Sequence, residues 1–252
     1  MRLVFVTFGD GSEDIRGAAK RICKQAEAMQ VFDVVHNFSQ KDLEEDEMWW
    51  KAHSSFILKN RRGFGYWLWK SYVIKKTMEK LDEGDIVFFS DCGSELCLSG
   101  KKRFLEYIEM VKKHDVLGMT NGLAEKTWTK MDLADHVGAL SEHLESSQIQ
   151  GNSLFFKKTE KNIEILNEWV QLCTADDYRF IDDSPSTKTL NDSSFVENRH
   201  DQSILSLLLK KNKCFTIPAE TSMMRFHDWD FAQHFPIHTL RNKTPSSKLP
   251  SE

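Results

Sequence analysis

The first 38 residues carry the pattern that most restricts the fold. Residues 2–8 are β-branched and aromatic, and they end at a Gly-Asp-Gly turn signal. From about Asp14, apolar residues recur at helical spacing, and residues 32–38 then have the pattern of a second short strand. A strand, a glycine-containing turn, a helix and a second strand are typical of an α/β fold. We therefore predict a Rossmann-like α/β chain with a mixed, mainly parallel sheet flanked by helices.

The rest of the chain continues this alternation of strands and helices. Residues 86–89 are fully apolar, as expected of a central parallel strand, and a helix is predicted over about 100–113. Residues 175–197 are rich in Asp, Ser and Thr, and such long polar loops are often functional lids. No repeat or linker separates two cores, so we predict one domain over residues 1–240 and a polar, frayed C-terminal tail over residues 241–252.

Composition and charge exclude several classes of protein. The 34 Lys and Arg against 38 Asp and Glu give a net charge of -4, so nothing indicates nucleic-acid binding. No run of 18 apolar residues is present, so no membrane-spanning helix is expected, and the start of the chain does not have the pattern of a signal peptide. The 5 cysteines are scattered and form no CxxC pair, which indicates reduced thiols in a cytoplasmic protein.

Asp91 follows the most apolar predicted strand. Ligands of open α/β sheets bind at the carboxyl ends of strands, and carboxylates bind hard divalent cations together with substrate phosphates. Gly93 would let the backbone approach such a ligand. Alternatively, Asp91 caps a helix that begins near Ser94. The residues alone favour neither interpretation.

Two further segments have residue types that suit a nucleotide. Residues 7–9 end the first predicted strand, but neither GxGxxG nor a P-loop follows them, so a plain core strand is the alternative. Residues 61–70 combine arginines, glycines, aromatic residues and a lysine, which suit phosphates and close backbone approach. Trp67 and Trp69 could equally be core residues.

Three longer segments form a specific combination in this order. They are residues 62–70 (RGFGYWLWK), residues 84–93 (GDIVFFSDCG) and residues 197–208 (ENRHDQSILSLL), with residues 125–130 and 181–185 in support. Together they resemble a family of small GT-A glycosyltransferases of bacterial polysaccharide clusters and large algal DNA viruses. That family is distantly similar to the glycogenin and galactosyltransferase group. The resemblance extends from residue 1 to about residue 240.

The resemblance implies a GT-A fold and a divalent metal, Mn²⁺ or Mg²⁺. Asp91 would match the first aspartate of a DxD metal motif, whereas Gly93 stands where the second aspartate would be. The predicted metal ligands are therefore Asp91 and His227, completed by diphosphate oxygens and water.

The resemblance also implies the other site residues. Asp201 and Gln202 are the predicted catalytic residues, with Asp201 near the anomeric carbon as a base or as a stabiliser of an oxocarbenium-like state. The predicted nucleotide-sugar-binding residues are Thr7, Phe8, Gly9, Arg62, Gly65, Tyr66, Lys70, Asp91 and Asn152.

The predicted function is transfer of a hexose or deoxyhexose from a UDP-sugar donor to a carbohydrate acceptor. One alternative is a noncatalytic binder of nucleotide sugars or glycans on the same fold. Another is a metal-dependent phosphohydrolase, which the His200-Asp201 and His227-Asp228 pairs would suit. Phosphohydrolases with that signature are helical, however, and these pairs lie in a strand-rich pattern.

Overall fold

A computed structural model describes residues 1–222 and 228–250. The strands in this part of the chain are β1 (Leu3–Phe8), β2 (Val34–Phe38), β3 (Ile86–Ser90), β4 (Glu95–Leu96), β5 (Val116–Ala124), β6 (Ser147–Ile149), β7 (Ser153–Lys157), β8 (Thr216–Pro218) and β9 (Ile237–His238). Seven of them form one sheet in the order β2-β1-β3-β7-β5-β6, with β8 paired to β5. Strands β4 and β9 form a small separate sheet.

Helices surround this sheet. They are α1 (Glu13–Ala28), α2 (Gln40–Glu44), α3 (Glu47–Lys59), α4 (Gly63–Tyr66), α5 (Leu68–Glu79), α6 (Lys101–His114), α7 (Glu125–Trp128), α8 (Met131–His136), α9 (Ser141–Glu145), α10 (Glu160–Tyr178), α11 (Asp201–Lys211) and α12 (Trp229–Ala232), with a 3-10 turn at Leu98–Gly100. Strand β1 is parallel to β2 and β3, whereas β7 is antiparallel to β3 and β5. The predicted α/β fold with a mixed sheet flanked by helices is confirmed. Among the described residues, no helix is long and apolar enough to cross a membrane.

The two faces of the sheet bury separate apolar clusters. Val4 and Val6 of β1 pack on the face covered by α5, α10 and α11, whereas Leu3 and Phe5 pack on the face covered by α1 and α6. All five residues of β3 are buried, because helices cover both of its faces. Side chains at the carboxyl end of β3 are thus placed by packing on two sides.

The C-terminal segment, residues 241–248, is mostly exposed but is attached to the protein by hydrogen bonds around the buried Asn242. Asn242 is fully buried and donates to Glu95, and the backbone N–H of Lys248 donates to the same carboxylate at 2.7 Å. Arg21 donates to the carbonyl oxygens of Asn242 and Thr244. The expectation of a frayed tail is therefore wrong for this segment. Its binding groups lie far away in the sequence, where a composition of polar residues gives no sign of them.

Residues 179–199 are irregular but firmly attached. The Nζ atom of Lys130, which is 1% exposed, donates to the carbonyl oxygen of Ser184 at 2.9 Å. Asp132 accepts the three successive backbone N–H groups of residues 187–189 at 2.8 to 2.9 Å. The 179–199 loop is held at two places by buried charges.

Candidate functional site

Three charged side chains meet where β3 ends, and we call them the Lys70 cluster. The Nζ atom of Lys70 lies 3.2 Å from Oδ1 of Asp91 and 3.2 Å from Oδ2 of Asp201. It also donates to the carbonyl oxygen of Gly151 at 2.9 Å. The two carboxylates are held as ion pairs, and among the described residues Oδ2 of Asp201 is a buried oxygen with no hydrogen-bond partner. Helices α5 and α11 supply Lys70 and Asp201, and the turn after β3 supplies Asp91.

The Lys70 cluster is buried on one side and open on the other. The side chains of Lys70 and Asp201 are 3% and 4% exposed, whereas that of Asp91 is 33% exposed. Burial raises the pKa of Asp201 to about 7, and the charge of Asp91 adds to this rise while Lys70 opposes it. Burial lowers the pKa of Lys70, but attraction to both carboxylates outweighs burial, so its pKa is raised. With both carboxylates ionised, the cluster has one excess negative charge.

Gln202 and Asn152 both contact the backbone around this cluster. The Oε1 atom of Gln202 accepts the N–H of Gly151 at 2.8 Å, and its Nε2 atom donates to Oε1 of Gln148 at 2.6 Å. The carbonyl oxygen of Asn152 accepts the N–H of Asp91 at 2.9 Å. The carboxamide oxygen of Asn152 is buried without a hydrogen-bond partner in the described part of the chain. The turn between β6 and β7 thus connects Asp91 to α11.

Thr7 belongs to a row of polar side chains across four strands. It pairs with Asn37 of β2, and Ser90 of β3 pairs with Ser153 of β7. The register of β1 and β3 places these two pairs side by side. Each of the four side chains has a buried oxygen with no hydrogen-bond partner among residues 1–222 and 228–250. Buried polar atoms are normally hydrogen-bonded, so this row has binding capacity that the described residues do not use.

Phe8 and Gly9 pack tightly within the protein. The ring of Phe8 stacks on Trp69, with centroids 4.1 Å apart and planes at 17°. A Cβ atom on Gly9 would lie 2.4 Å from Cβ of Ala19, so the close approach of α1 to β1 requires glycine. Trp69 is 4% exposed and is a core residue. The structure therefore gives Phe8 and Gly9 packing contacts, and their predicted role in nucleoside binding stays a prediction.

Arg62 and Tyr66 contact the 179–199 loop and the start of α11. The guanidinium of Arg62 lies 3.0 Å from Glu197 and 3.4 Å from Asp183. The ring of Tyr66 stacks on His200, with centroids 4.7 Å apart. Tyr66 thus contacts His200, the residue that precedes Asp201. Within the described part of the chain, neither Arg62 nor Tyr66 forms an ion pair or a ring contact with Lys70.

Gly65 has a clear packing function. Its φ of 83° is in the left-handed region, and an added Cβ atom would lie 2.8 Å from Cγ1 of Ile57. Any larger residue at this position would push α3 away from the turn. Its predicted contact with a nucleotide sugar stays a prediction.

His200 is engaged within the protein. Its Nδ1 atom lies 2.7 Å from the carbonyl oxygen of Ile181, and burial lowers the pKa of its imidazole. A neutral imidazole therefore donates its Nδ1–H to Ile181. Since the ring is also stacked on Tyr66, the His200-Asp201 pair does not have the open geometry of a phosphohydrolase metal site.

Of the two predicted metal ligands, the structure describes Asp91, whereas His227 lies outside the described residues. Within residues 1–222 and 228–250, no group of three or more His, Cys, Asp or Glu side chains could hold a metal ion. A partly exposed carboxylate suits a metal whose other ligands are substrate oxygens, so Asp91 fits as a single ligand.

The C-terminal segment occupies the space beside Gly93. The carbonyl oxygen of Gly93 accepts the N–H of Asn242 at 2.8 Å, and an added Cβ atom would lie 3.3 Å from Cα of Arg241. A side chain here would need this segment to shift by a few tenths of an ångström. Gly93 therefore lies in close contact with the C-terminal segment.

The structural roles of Gln148, Arg21 and the C-terminal segment were not predicted from the sequence. Gln148 and Arg21 are buried polar residues that act through hydrogen bonds to distant parts of the chain. No spacing pattern accompanies either residue. The one available signal was an arginine among the alanines of α1, close to its apolar face.

Comparisons with known proteins bear on the fold. No protein-family model and no curated protein sequence matches the chain. A glycosyltransferase involved in the glycosylation of the major capsid of PBCV-1 is similar in structure, with a TM-score of 0.51 and 11% identity over 94% of this chain and 92% of that chain. At this identity the likeness shows the fold alone, and it confirms the predicted GT-A type.

Two other solved structures have lower TM-scores. Mouse xyloside xylosyltransferase 1 is 9% identical over 98% of this chain and 99% of that chain, with a TM-score of 0.48. The galactosyltransferase LgtC is 12% identical over 94% of this chain and 86% of that chain, with a TM-score of 0.46.

Proposed function

We propose that the protein is a glycosyltransferase that moves a hexose or deoxyhexose from a UDP-sugar donor to a carbohydrate acceptor. The observation that carries this proposal is the Lys70 cluster, which lies at the carboxyl end of the central strand β3. The cluster has two carboxylates for one ammonium group, and one of the carboxylates is open to solvent. Such arrangements of buried charges are typical of functional sites. The fold that this cluster occupies is also the fold of the PBCV-1 glycosyltransferase.

Each residue of the Lys70 cluster has a distinct role in this proposal. Asp201 would lie near the anomeric carbon, where its carboxylate accepts the proton of the acceptor hydroxyl or stabilises an oxocarbenium-like state. Lys70 keeps the two carboxylates beside one ammonium group, because it forms an ion pair with each and is anchored by its hydrogen bond to Gly151. Asp91 is the exposed member and would face the diphosphate.

A divalent cation, Mn²⁺ or Mg²⁺, would be held by Asp91 with the diphosphate oxygens, and His227 is the second proposed ligand. Such a cation supplies neutralisation of the charge that develops on the departing diphosphate. The nucleoside would lie near Thr7, Phe8 and Gly9 at the end of β1. The unused hydrogen-bonding capacity of Thr7 supports that position.

The experiment that tests the proposed function measures UDP release by the full chain. A panel of UDP-sugars is offered with and without sugar acceptors, each with Mn²⁺, Mg²⁺ or a chelator. We expect UDP release that needs the metal and increases with an acceptor, and a large loss in the Asp91→Asn and Asp201→Asn variants. Full activity in Asp91→Asn would remove Asp91 from the metal site, and full activity in Asp201→Asn would remove its catalytic role.

Calorimetry with UDP and Mn²⁺ distinguishes the remaining possibilities. Binding of UDP together with turnover supports the glycosyltransferase. Binding of UDP without turnover of any donor would indicate a noncatalytic nucleotide-sugar binder. No binding of UDP under any metal condition would contradict the proposal.

A further inference from the structure

Buried hydrogen bonds connect the interior of the protein to the Lys70 cluster. The Oε1 atom of Glu125 accepts Nε2 of Gln148 at 2.8 Å, and Oε1 of Gln148 accepts Nε2 of Gln202 at 2.6 Å. The Oε1 atom of Gln202 accepts the N–H of Gly151 at 2.8 Å, and the carbonyl oxygen of Gly151 accepts Nζ of Lys70 at 2.9 Å. We call the residues Glu125, Gln148, Gln202 and Gly151 the amide chain.

The two ends of the amide chain fix the orientation of both glutamines. The other oxygen of Glu125 accepts the hydroxyl of Ser206 and lies 2.8 Å from Nζ of Lys210, as expected of a carboxylate. A carboxylate only accepts, and a backbone N–H only donates. Gln148 must therefore turn its NH₂ group to Glu125. Either amide, if flipped, would face two acceptors or two donors toward each other.

Burial makes this orientation strict. Glu125 and Gln148 are each 0% exposed, so an unpaired group there cannot turn to bulk water. A buried polar group that loses its partner therefore destabilises the arrangement around it. Gly151 is thus held on both sides: the amide chain holds its N–H, in the peptide that follows Gln150, and Lys70 holds its carbonyl, in the peptide that precedes Asn152. Helix α11 packs directly on it, since an added Cβ atom on Gly151 would lie 3.3 Å from Cβ of Gln202.

We propose that Gln148 and Gln202 are positioning residues, which fix the backbone of Gly151 and thereby the place of Lys70 between its two carboxylates. This inference rests on the proposed function for its effect on turnover. Each polar atom of the Gln202 side chain has a partner inside the protein, and the role assigned to Gln202 is to act through Gly151. Loss of the amide chain frees the backbone on both sides of the Gly151 Cα to rotate. The ammonium group of Lys70 then moves relative to Asp91 and Asp201.

A double-mutant cycle tests this inference in the UDP-release assay. Gln148→Leu and Gln202→Leu each remove one link while keeping a similar volume. We expect each to lower kcat by about tenfold with little change in the donor KM, because a misplaced group affects the chemical step. The double variant falls no further than the worse single variant, since both act on one peptide. Losses that multiply in the double variant would overturn the inference and place Gln202 on the substrate.

Two controls keep the cycle interpretable. Gln171→Leu is the matched control, because Gln171 is exposed on α10, outside the amide chain, and its kcat stays at the wild-type value. Gln202→Glu keeps the length of the side chain but sets a carboxylate oxygen against Oε1 of Gln148, so its kcat should fall at least as far as that of Gln202→Leu. It also serves if a leucine variant fails to fold. A wild-type kcat in Gln202→Glu would contradict the inference.

A second readout does not depend on turnover. The ¹⁵N signal of the Lys70 ammonium is observable by NMR because the group is buried, and it is assigned from its loss in Lys70→Met. It should shift in Gln148→Leu and stay in place in Gln171→Leu. An unchanged signal in Gln148→Leu overturns the amide chain, whatever the enzyme does. A wild-type protein that releases no UDP, with the signal shifted as expected, would overturn the proposed function alone.

Discussion

Two buried cations flank the turn that carries Asp91, and their partners differ in kind. Lys70 lies between two carboxylates. Arg21, which is 7% exposed, donates to backbone carbonyl oxygens on either side of it. Two of these belong to Cys92 and Ser94 in the turn, at 2.9 and 3.0 Å, and two belong to the C-terminal segment.

The difference separates structural charge from functional charge. Carbonyl oxygens are neutral and point in fixed directions, so Arg21 joins two pieces of backbone and leaves no reactive group exposed. Around Lys70, two carboxylates share one ammonium and one of them is open to solvent. Burial of a cation alone therefore does not mark a site. Two carboxylates that share one buried cation, with one of them open to solvent, are the feature that does.

The largest expected effect follows removal of Lys70. Lys70→Met leaves Asp91 and Asp201 without their shared cation, and breaking a buried ion pair from one side costs about 3–5 kcal/mol. We expect a loss of that size in urea unfolding and a fall in UDP release of about 100-fold. Lys75→Met is the matched control on the same helix, where Lys75 makes only a partly exposed pair with Glu79. A variant as stable as wild type would show that the carboxylates do not depend on Lys70.

Removal of Arg21 should act mainly on the backbone. Arg21→Met leaves several carbonyl oxygens without a donor and should lower the free energy of unfolding by about 2–3 kcal/mol. The C-terminal segment should become the first site of limited proteolysis, because Arg21 attaches residues 242 and 244. Mass spectrometry of the protected fragment measures this. A segment that stays protected in Arg21→Met would show that Glu95 and Gly93 are sufficient to hold it.

The sequence predicted one of these two cations. Lys70 lies in a dense segment of arginines, glycines and aromatic residues, and Asp91 directly follows an apolar strand, so local pattern indicated both. Asp201 follows a polar loop at the predicted start of a helix. The meeting of all three is a property of the sheet order, because β3 lies between β1 and β7 and brings distant segments together.

Contacts between distant segments explain what the sequence did not predict. Arg21 and Gln148 look like ordinary polar residues of a helix and a polar stretch. The partners of Arg21 lie 71 and 221 residues away along the chain. Gln202, the partner of Gln148, lies 54 residues away. The frayed tail was predicted for the same reason, since residues 241–252 are polar, and the groups that attach residues 242–248 include Arg21, Gly93 and Glu95, all far away in the sequence.

Asp132 is a buried anion whose main partners are backbone groups, as those of Arg21 are. Burial alone would raise the pKa of Asp132, but the N–H groups of Thr187 and Thr189, with Arg179 and Lys188, hold that pKa well below its ordinary range. The stabilisation is therefore fully present above about pH 4, the usual pKa of an aspartate in an unfolded chain, and is lost as the pH falls below that value. We expect the thermal stability of wild type to drop below pH 4 more steeply than that of Asp132→Asn.

Asp132→Asn should itself be less stable at pH 7 by about 1–2 kcal/mol, because hydrogen bonds to a charged acceptor are stronger than those to a neutral one. Hydrogen exchange at residues 187–189 should increase in this variant, since these N–H groups lose the charged acceptor. Parallel pH profiles of the two proteins would show that the charge of Asp132 does not stabilise the 179–199 loop.

The smallest expected effect concerns buried groups with no partner in the described part of the chain. The hydroxyl of Ser153 is such a group, whereas the hydroxyl of Ser206 donates to Glu125 and accepts the N–H of Ile149 at 2.9 Å. Ser206→Ala should therefore lower the free energy of unfolding by about 1–3 kcal/mol, and Ser153→Ala should leave it unchanged within about 0.5 kcal/mol. Urea unfolding of both variants measures the difference. A loss above about 1 kcal/mol in Ser153→Ala would mean that ordered water bonds the polar row of Asn37, Thr7, Ser90 and Ser153. That row would then have a structural role, like Arg21, and its hydrogen-bonding groups would no longer be free to bind a nucleoside.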